Sequence, residues 1–476
     1  MKEVIQLTQP QVVQVRSPKG MAFVLMLGAF IGLFSETALN MALTNIMADF
    51  SINASAAQWL TTGYLLILGI LVPVSALILR WFTTRQLVIA SFTFSIIGSI
   101  IAALAPSFAI LLIGRIIQAL GTGILLPLLM NVILLIFPIY KRGIVMGLMG
   151  LVITTAPAVG PTIAGLIVDS LGWAYIFWLS VILFIALGVF GVKQIDNVAT
   201  ITKPKIDVLS IVLSTIGFGG LIFSLSTIAE KSISAPEVWV TLVAGIIAIM
   251  LFVVRQFTMK IPMLNLAVFK QPMFTLGTLQ LFIGMLLILS TAILLPLYVK
   301  GALLYSAALA GVILLPGSSI NAILAPFIGK NFEKIGAKTL LTIGFALAFI
   351  GSILFIFSLK ADAALWQVIG SHIVFFAGIS FIIMPAQTNG LNQLPRQLYS
   401  DGSAVMNTLQ QIAGAAGTAV AITLMVQGQK IFMSENPQSL PTEMIAAGAN
   451  HVFYYIAGIA LVGFISTFFV KRVHVE

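Results

Sequence analysis

Long apolar runs recur along the whole chain and constrain its fold more than any other feature. An α-helix needs about 20 consecutive, mostly apolar residues to span a bilayer. Runs of that kind occupy residues 21–44, 56–79, 86–105, 107–135, 143–168, 173–192, 207–228, 237–256, 272–299, 305–328, 338–358, 366–391, 403–427 and 448–470. The sequence therefore predicts an all-α, multi-pass integral membrane protein with fourteen transmembrane helices.

The composition argues against a soluble enzyme. Hydrophobic residues make up 60% of the 476 residues and charged residues only 8%, whereas a soluble domain carries about 25% charged residues. There is no cysteine, and the histidines, His372, His451 and His474, are scattered. Disulfides and thiolate sites are therefore excluded, and no phosphate-binding loop or metal-ligand spacing occurs. We expect no enzymatic activity, no cofactor and no bound metal.

The basic residues indicate the orientation of the helices. With the N-terminus inside, nineteen of the 24 Lys and Arg fall in cytoplasmic segments, four fall outside, and Arg115 lies within a helix. Cytoplasmic loops carry such an excess, so both termini are predicted to be cytoplasmic. The net charge of +10 then faces anionic lipid, and no nucleic-acid partner is expected. The first run is too long for a signal peptide and is predicted to be retained.

A short charged pattern occurs twice and divides the chain. Pro73 is followed after seven residues by Arg80, and Pro326 is followed after seven residues by Glu333. The copies lie eight helices apart, so two helices are inserted between two sets of six, as in a pseudo-symmetric transporter. The predicted segments are a cytoplasmic N-terminal segment (1–19), an N-terminal six-helix bundle (20–195), two inserted helices (196–270), a C-terminal six-helix bundle (271–471) and a cytoplasmic tail (472–476).

One carboxylate lies inside the first apolar run, which extends from Gly20 to Thr44. Glu36 is followed by Thr37, and Asn40 stands one helical turn further on the same face. An ionised carboxylate in a membrane is costly unless it is neutralised, paired or hydrated, so an acid at this position favours a functional role. The alternative is a neutral carboxyl that is hydrogen-bonded between packed helices.

Arg115 is the second charged residue placed deep in a predicted helix. Arg115 and Glu36 each lie eight residues from the outer ends of their helices, which is about 12 Å at the helical rise of about 1.5 Å per residue. Equal depth allows one to influence the other, either directly or through Gln118 or water. Two roles are open for Arg115: tuning the proton affinity of Glu36, or serving as a fixed hub that hydrogen-bonds carbonyls of the first helix.

Five motifs on successive helices make the chain resemble one branch of a transporter family. They are SETALNMAL at 35–43, QWLTTGY at 58–64, RIIQALG at 115–121, APAVGPTIAG at 156–165 and WAYIF at 173–177. In this order they resemble the signatures of the fourteen-helix drug:proton antiporters of the major facilitator superfamily. The most similar subgroup is the lincomycin-resistance-type multidrug exporters of Gram-positive bacteria.

The resemblance implies proton-coupled export by alternating access. Glu36 and Arg115 would couple transport to protons, because a cationic drug that favours the ionised carboxylate competes with the proton for one site. Gly160, Pro161 and Gly165 match the antiporter motif and would limit leaks. The alternative for these three residues is ordinary small-residue helix packing.

The loops after the second and tenth helices are candidates for a cytoplasmic gate. The family's usual Asp and Gly are replaced by Arg80 and Thr83 in the first loop, whereas the second loop retains an acid, Glu333. We therefore expect gate locking to depend more on Glu333 and its basic neighbours, with ordinary topology signals as the alternative. The gate candidates are Arg80, Arg85, Gly329, Glu333, Lys334 and Lys338.

Polar side chains within the predicted helices are candidates for a substrate cavity. Each can hydrogen-bond a ligand or simply join two helices. The cavity candidates are Glu36, Asn40, Gln58, Tyr64, Gln118, Asn131, Asn321, Gln387, Asn407 and Gln411.

These observations predict a proton-coupled antiporter that exports amphipathic or cationic toxic compounds from a Gram-positive bacterium. The expected partners are lipophilic small molecules, protons and the lipid bilayer of the plasma membrane, and a monomer is expected. One alternative is an exporter of an endogenous metabolite, such as an amino acid, a bile acid-like compound or a nucleotide. A lipid flippase is less well supported, because a head-group pocket would need more charges than Glu36 and Arg115.

Overall fold

The computed structural model describes residues 13–52, 54–228, 235–260, 262–305 and 307–471, and the regular elements within these ranges are all helical. The α-helices are α1 (Pro18–Ala38), α2 (Leu43–Asp49), α3 (Ala54–Trp81), α4 (Thr84–Ala103), α5 (Phe108–Ile136), α6 (Ile139–Leu171), α7 (Ala174–Gly191), α8 (Val208–Ile228), α9 (Pro236–Thr258), α10 (Pro272–Gly301), α11 (Ala307–Ile335), α12 (Ala337–Ser358), α13 (Leu365–Asn392), α14 (Tyr399–Glu435) and α15 (Pro441–Ser466).

The helices account for each predicted span by position. Within the described ranges, twelve helices are long and apolar enough to cross a membrane, or thirteen if the two arms of α3, which meet at 56° beside Pro73, count as one span. The prediction of an all-helical membrane protein is therefore confirmed. The count of fourteen spans and the cytoplasmic location of both termini stay predictions.

Local sequence signals explain where several helices begin. Ser17 accepts a hydrogen bond from the Gly20 backbone at the start of α1, and a side-chain oxygen at this position satisfies an otherwise unpaired helical N–H. Thr83 and Gln86 form a reciprocal capping box at the start of α4. Proline occupies the first residue of α9, α10 and α15, where its missing N–H costs nothing.

The first helix ends earlier than the predicted range of 21–44. Regular α-helix stops at Ala38, a 3₁₀ turn covers Leu39–Met41, and the short α2 follows. The Thr37 hydroxyl donates to the carbonyls of Leu33 and Phe34, at 3.3 and 3.4 Å. Such hydrogen bonds compete with the helical ladder and bend helices. Glu36 therefore lies in the last turn of α1.

The helices form two halves that meet along a long interface. The N-terminal half contains α1–α7 and the C-terminal half contains α10–α15; α6 packs on α11 and α13, while α3 and α5 pack on α14. Between α6 and α11 the backbones touch: a Cβ at Gly329 would lie 2.7 Å from the Gly143 carbonyl oxygen, and one at Gly147 would lie 2.8 Å from the Ala325 carbonyl oxygen. Glycine at these positions permits an approach that larger residues prevent.

The inserted helices α8 and α9 pack against each other, and α8 also packs on α3 and α14. A Cβ at Gly69 of α3 would lie 1.9 Å from Ile222 of α8, which shows how closely these two helices approach. Because α3 belongs to one half and α14 to the other, α8 lies beside the seam between the halves.

Gly98→Ala should destabilise the N-terminal half. The new Cβ would lie 2.5 Å from the Gln118 backbone nitrogen and 2.6 Å from the Gly114 carbonyl oxygen, so α4 and α5 would have to separate. We expect the free energy of unfolding in detergent to fall by about 1–3 kcal/mol, the usual cost of overpacking. Gly188→Ala is the matched control, because a Cβ there has no atom within 4 Å. Equal unfolding midpoints for the two variants would contradict the prediction.

Candidate functional site

The guanidinium of Arg115 connects three helices inside the N-terminal half. The residue is fully buried. Its Nη1 donates to the Ser35 carbonyl at 3.1 Å and to Gln118 Oε1 at 2.9 Å, and its Nε donates to the Leu60 carbonyl at 3.4 Å. The guanidinium carbon lies 4.3 Å from the centre of the Tyr64 ring. A buried cation needs several such partners to offset its lost hydration, and Arg115 has the contacts of a hydrogen-bond hub.

Two neighbours extend this hub to four helices. The Tyr64 hydroxyl donates to the Gly32 carbonyl at 3.2 Å and shares a 2.8 Å hydrogen bond with the Thr122 hydroxyl. Gln118 donates from Nε2 to Ser99 Oγ at 2.7 Å. The network therefore includes α1, α3, α4 and α5. Gln118 and Tyr64 use their polar groups within it, and their place in a substrate cavity stays a prediction.

Glu36 lies beside this network with one carboxyl oxygen unpaired. Its Oε2 is buried, and so is Nη2 of Arg115, yet among the described residues neither atom has a hydrogen-bond partner. Ser35, the residue before Glu36, is bonded directly to Arg115, so the acid and the base lie at similar depth. A buried, unpaired carboxyl oxygen is costly, and a proton or a cationic group bound there would offset the cost.

Gly160 in α6 brings another helix against the Glu36 region. A Cβ at Gly160 would lie 2.4 Å from Thr37 Oγ1 and 3.4 Å from the Phe34 carbonyl oxygen. By contrast, a Cβ at Gly165 would have no atom within 4 Å. The side chain of Pro161 lies outside the described residues. Of the two antiporter-motif glycines, Gly160 packs against α1 and Gly165 does not.

Three of the predicted cavity amides lie where α5 packs against the C-terminal half. Met130 Sδ lies 3.7 Å from Gln387 Nε2 and 3.7 Å from Asn407 Nδ2, and Asn131 Oδ1 accepts a 3.3 Å hydrogen bond from Ser400. These contacts join α5 to α13 and α14. Gln387 Oε1 is buried without a described partner, so this interface contains a hydrogen-bond acceptor that a ligand could use.

The remaining cavity candidates are spread more widely. Asn321 is buried on α11 and Gln411 is half-buried on α14. The side chains of Asn40 and Gln58 lie outside the described residues. The structure therefore places Asn131, Gln387 and Asn407 at the interface between the halves, and the role of every cavity candidate stays a prediction.

At the predicted cytoplasmic end, an ion pair joins the two halves. Arg80, near the end of α3, donates to Asp401 in the first turn of α14, and Asp401 is fully buried. A second arginine, Arg142 of α6, donates to the Tyr399 hydroxyl at 3.1 Å and to the Asn392 side chain at 3.4 Å. Both contacts cross from the N-terminal half to the C-terminal half.

The other gate candidates make different contacts. The Arg85 backbone N–H donates at 3.0 Å to the side chain of Asn197, in the segment after α7, and Lys338 donates to the Phe468 carbonyl at 3.3 Å. Lys334 is exposed. Gly329 lies in the tight contact with α6. The inter-half ion pair at this end therefore uses Arg80, and the expected greater role of Glu333 stays a prediction.

The comparisons with known proteins assign the family. The model of the Major Facilitator Superfamily matches residues 25–418. The chain belongs to the major facilitator superfamily. The lincomycin resistance protein LmrB of Bacillus subtilis is 52% identical over 95% of each chain, and its namesake in Listeria monocytogenes is 51% identical over 94% of this chain and 95% of the relative.

Solved structures agree with the family assignment. The proton:xylose symporter XylE superposes with a TM-score of 0.64 at 14% identity over 96% of each chain. The human organic anion transporter TETRAN also has a TM-score of 0.64, at 12% identity over 94% of this chain and 99% of its own. At these identities the likeness concerns the fold alone. The predicted family is confirmed, and the superfamily relatives make this chain a transporter and not an enzyme.

The sequence pattern did not identify Asp401 or Arg142 as residues that join the two halves. Asp401 stands two residues before the predicted helix 403–427, so the sequence pattern places it in a loop. An acid at the start of a helix, on the end that carries most of the basic residues, was an available signal for an ion pair. Which of those bases it meets depends on how the halves pack.

Arg115→Lys should destabilise the protein although the charge is retained. A lysine ammonium cannot reach the three separate acceptors that the planar guanidinium contacts, so buried carbonyls would lose their donor. We expect the free energy of unfolding to fall by about 3 kcal/mol, as for a broken buried polar network. Denaturant unfolding in detergent measures this change. Arg85→Lys, at an exposed position, should change it by less than about 0.5 kcal/mol; similar losses would argue against the hub.

Proposed function

We propose that this transporter exports amphipathic or cationic drugs in exchange for protons, by alternating access between its two halves. The printed names of the relatives support small-molecule efflux: two are lincomycin resistance proteins, and the Escherichia coli relative at 25% identity is a multidrug export protein. The observation that carries the proton coupling is the unpaired, buried Oε2 of Glu36 beside the Arg115 hub.

Glu36 provides the minimum chemistry for exchange. Burial destabilises the ionised carboxylate, so an empty site favours a bound proton. A cationic substrate that enters the site favours the ionised form and displaces that proton. Proton and substrate then bind at Glu36 in turn. Each can bind there only after the other has been released, which links their transport. Arg115 contributes positive charge at the same level and favours release of the proton.

Helix α6 offers a physical connection between this site and the opening of the halves. At Gly160 its backbone touches α1 beside Glu36, and at Gly143 and Gly147 it touches α11 of the other half. A change in how α1 packs at Thr37 would therefore be transmitted along a single helix to the interface. Rocking of one half against the other is the motion by which such repeats expose a site alternately.

The contacts between the halves support a state closed at the predicted cytoplasmic end. The Arg80–Asp401 pair, the contacts of Arg142 and the glycine contact at Gly329 all lie at that end. In this arrangement a substrate released from the Glu36 region leaves toward the outside. Opening the same contacts would admit substrate from the cytoplasm.

Glu36→Gln should abolish transport driven by a pH gradient. The amide has nearly the same shape but cannot bind and release a proton at this position. We expect uptake of lincomycin into proteoliposomes, driven by an imposed pH gradient, to fall to the level of empty liposomes. Lincomycin is the first substrate to test because the relatives are named for it. Glu36→Asp should retain partial activity, since it keeps the acid and shortens it by one methylene.

The control for this substitution is Glu435→Gln, which makes the same change at an exposed position at the end of α14. It should transport like the parent. Wild-type uptake by a folded Glu36→Gln protein would overturn the proton-coupling proposal. Gradient-independent uptake of lincomycin by the parent would also contradict it.

Gly160→Ala should reduce transport by disturbing the contact between α6 and α1. The added methyl would meet Thr37 Oγ1 at 2.4 Å, so Thr37 must rotate or α1 must shift beside Glu36. We expect initial uptake rates about fivefold lower, corresponding to roughly 1 kcal/mol. Gly165→Ala adds the same methyl with open space around it and should retain most of the transport. Equal losses in both variants would show that the contact with α1 is not the cause.

A further inference from the structure

Linkers before and after the two inserted helices connect them to the halves. Each linker hydrogen-bonds to one of the two partners of an ion pair. Arg80 belongs to the N-terminal half and Asp401 to the C-terminal half, and we name these two residues the latch pair. Asp401 Oδ1 also accepts a 2.9 Å hydrogen bond from the Asn265 backbone N–H, in the linker after α9. Asp401 is therefore bonded to the opposite half and to the inserted segment at once.

The linker before α8 binds the other member of the latch pair. The Arg80 carbonyl accepts hydrogen bonds from the backbone N–H groups of Thr202 and Lys203, at 3.0 and 3.2 Å. The adjacent Trp81 donates from its indole nitrogen to the Pro204 carbonyl at 3.0 Å. One linker thus fixes the backbone of Arg80 while the other contacts the side chain of Asp401.

Contacts between α8 and α9 hold the two linkers in a fixed relation. Asp207, just before α8, accepts two hydrogen bonds from Arg255 at 2.7 and 2.8 Å. Gln256 donates to Ser210 Oγ at 2.7 Å and accepts from the Leu264 backbone N–H at 3.1 Å. These two hydrogen bonds join the start of α8 to the linker that contains Asn265, and Gln256 itself is buried.

We infer that the inserted segment, described over residues 199–228, 235–260 and 262–271 and here called the strap, stabilises the closed state of the predicted cytoplasmic end by holding the latch pair together. The strap lies beside the seam, since α8 packs on both α3 and α14. Opening that end separates Arg80 from Asp401 and leaves a buried carboxylate without its cation, which is costly. The strap adds to this cost because its two linkers must separate as well. The inserted helices therefore bias the transport cycle toward the outward-facing state.

The inference rests on the proposed alternating access, but its test needs neither a substrate nor a proton gradient. The chain has no cysteine, so two introduced cysteines can be spin-labelled cleanly in the full-length protein. Lys193→Cys in the N-terminal half and Thr339→Cys in the C-terminal half are exposed positions at the same end. Pulsed electron paramagnetic resonance in lipid nanodiscs then gives the distribution of distances between the labels. From it follows the fraction of protein that is open at this end.

Gln256→Leu tests the strap without touching the latch pair. It removes the hydrogen bond to Ser210 at the start of α8 and the one from the Leu264 backbone, and it keeps a side chain of similar size. We expect the ratio of open to closed protein to rise about fivefold, the effect of losing roughly one net hydrogen bond. Asp401→Asn should raise the same ratio at least as much. Arg80→Asp alone should also open this end, and Arg80→Asp combined with Asp401→Arg should largely restore the closed distance.

Arg16→Gln is the matched control. Arg16 precedes α1 and pairs with Asp196, which follows α7, at the same end but outside the strap and without contact to the C-terminal half in this pair, so the distance distribution should match that of the parent. A parental distribution for both Gln256→Leu and Asp401→Asn would overturn the inference. So would opening by Asp401→Asn with none by Gln256→Leu, because the latch pair would then act without the strap. Folding of each variant is checked by its elution volume and unfolding midpoint.

Discussion

The burial of one positive charge inside the N-terminal half determines how its helices pack. Arg115 is fully buried, and a buried cation needs acceptors within the protein; Nε and Nη1 have them, whereas Nη2 has no described partner. Those acceptors are carbonyls of α1 and α3 and the amide of Gln118. Satisfying them fixes the rotation and depth of α1, and thereby the position of Glu36. Proton coupling, as proposed, depends on a carboxyl held at that place.

Close backbone contacts form the second constraint. In a membrane the burial of apolar groups does not by itself drive helices together, so close packing and small residues contribute more. Gly160 brings α6 against α1, and Gly143, Gly147 and Gly329 bring α6 against α11. A single helix therefore contacts the carboxyl-bearing segment in one half and the backbone of the other half. Close helix approach therefore explains glycine at both contact sites of α6, near its start and beside α1.

The two halves differ at the end where they meet. The N-terminal half contributes a base, Arg80 in the last turn of α3, and the C-terminal half contributes the acid, Asp401. The inserted helices contact both members of this pair through their linkers. An ion pair that crosses the interface and is bonded to a third segment couples three parts of the chain.

The sequence alone determined the membrane class, the approximate positions of the helices and the identity of two charged residues in the bundle. These depend on local properties: the length of apolar runs and the placement of charges within them. The sequence also placed Glu36 and Arg115 at similar depth, because helical rise is constant. It predicted the first helix too long, since the competing hydrogen bonds of Thr37 depend on the local geometry.

Only the tertiary structure decided which residues meet. Arg80 and Asp401 are separated by 321 positions, and Met130 contacts amides on two helices of the other half. Such pairings depend on the rotation of each helix about its axis and on the packing of the halves. Apolar residues on all sides of a membrane helix carry little information about that rotation. The polar contacts fixed it here, because each buried donor or acceptor needs a partner at a specific distance and angle.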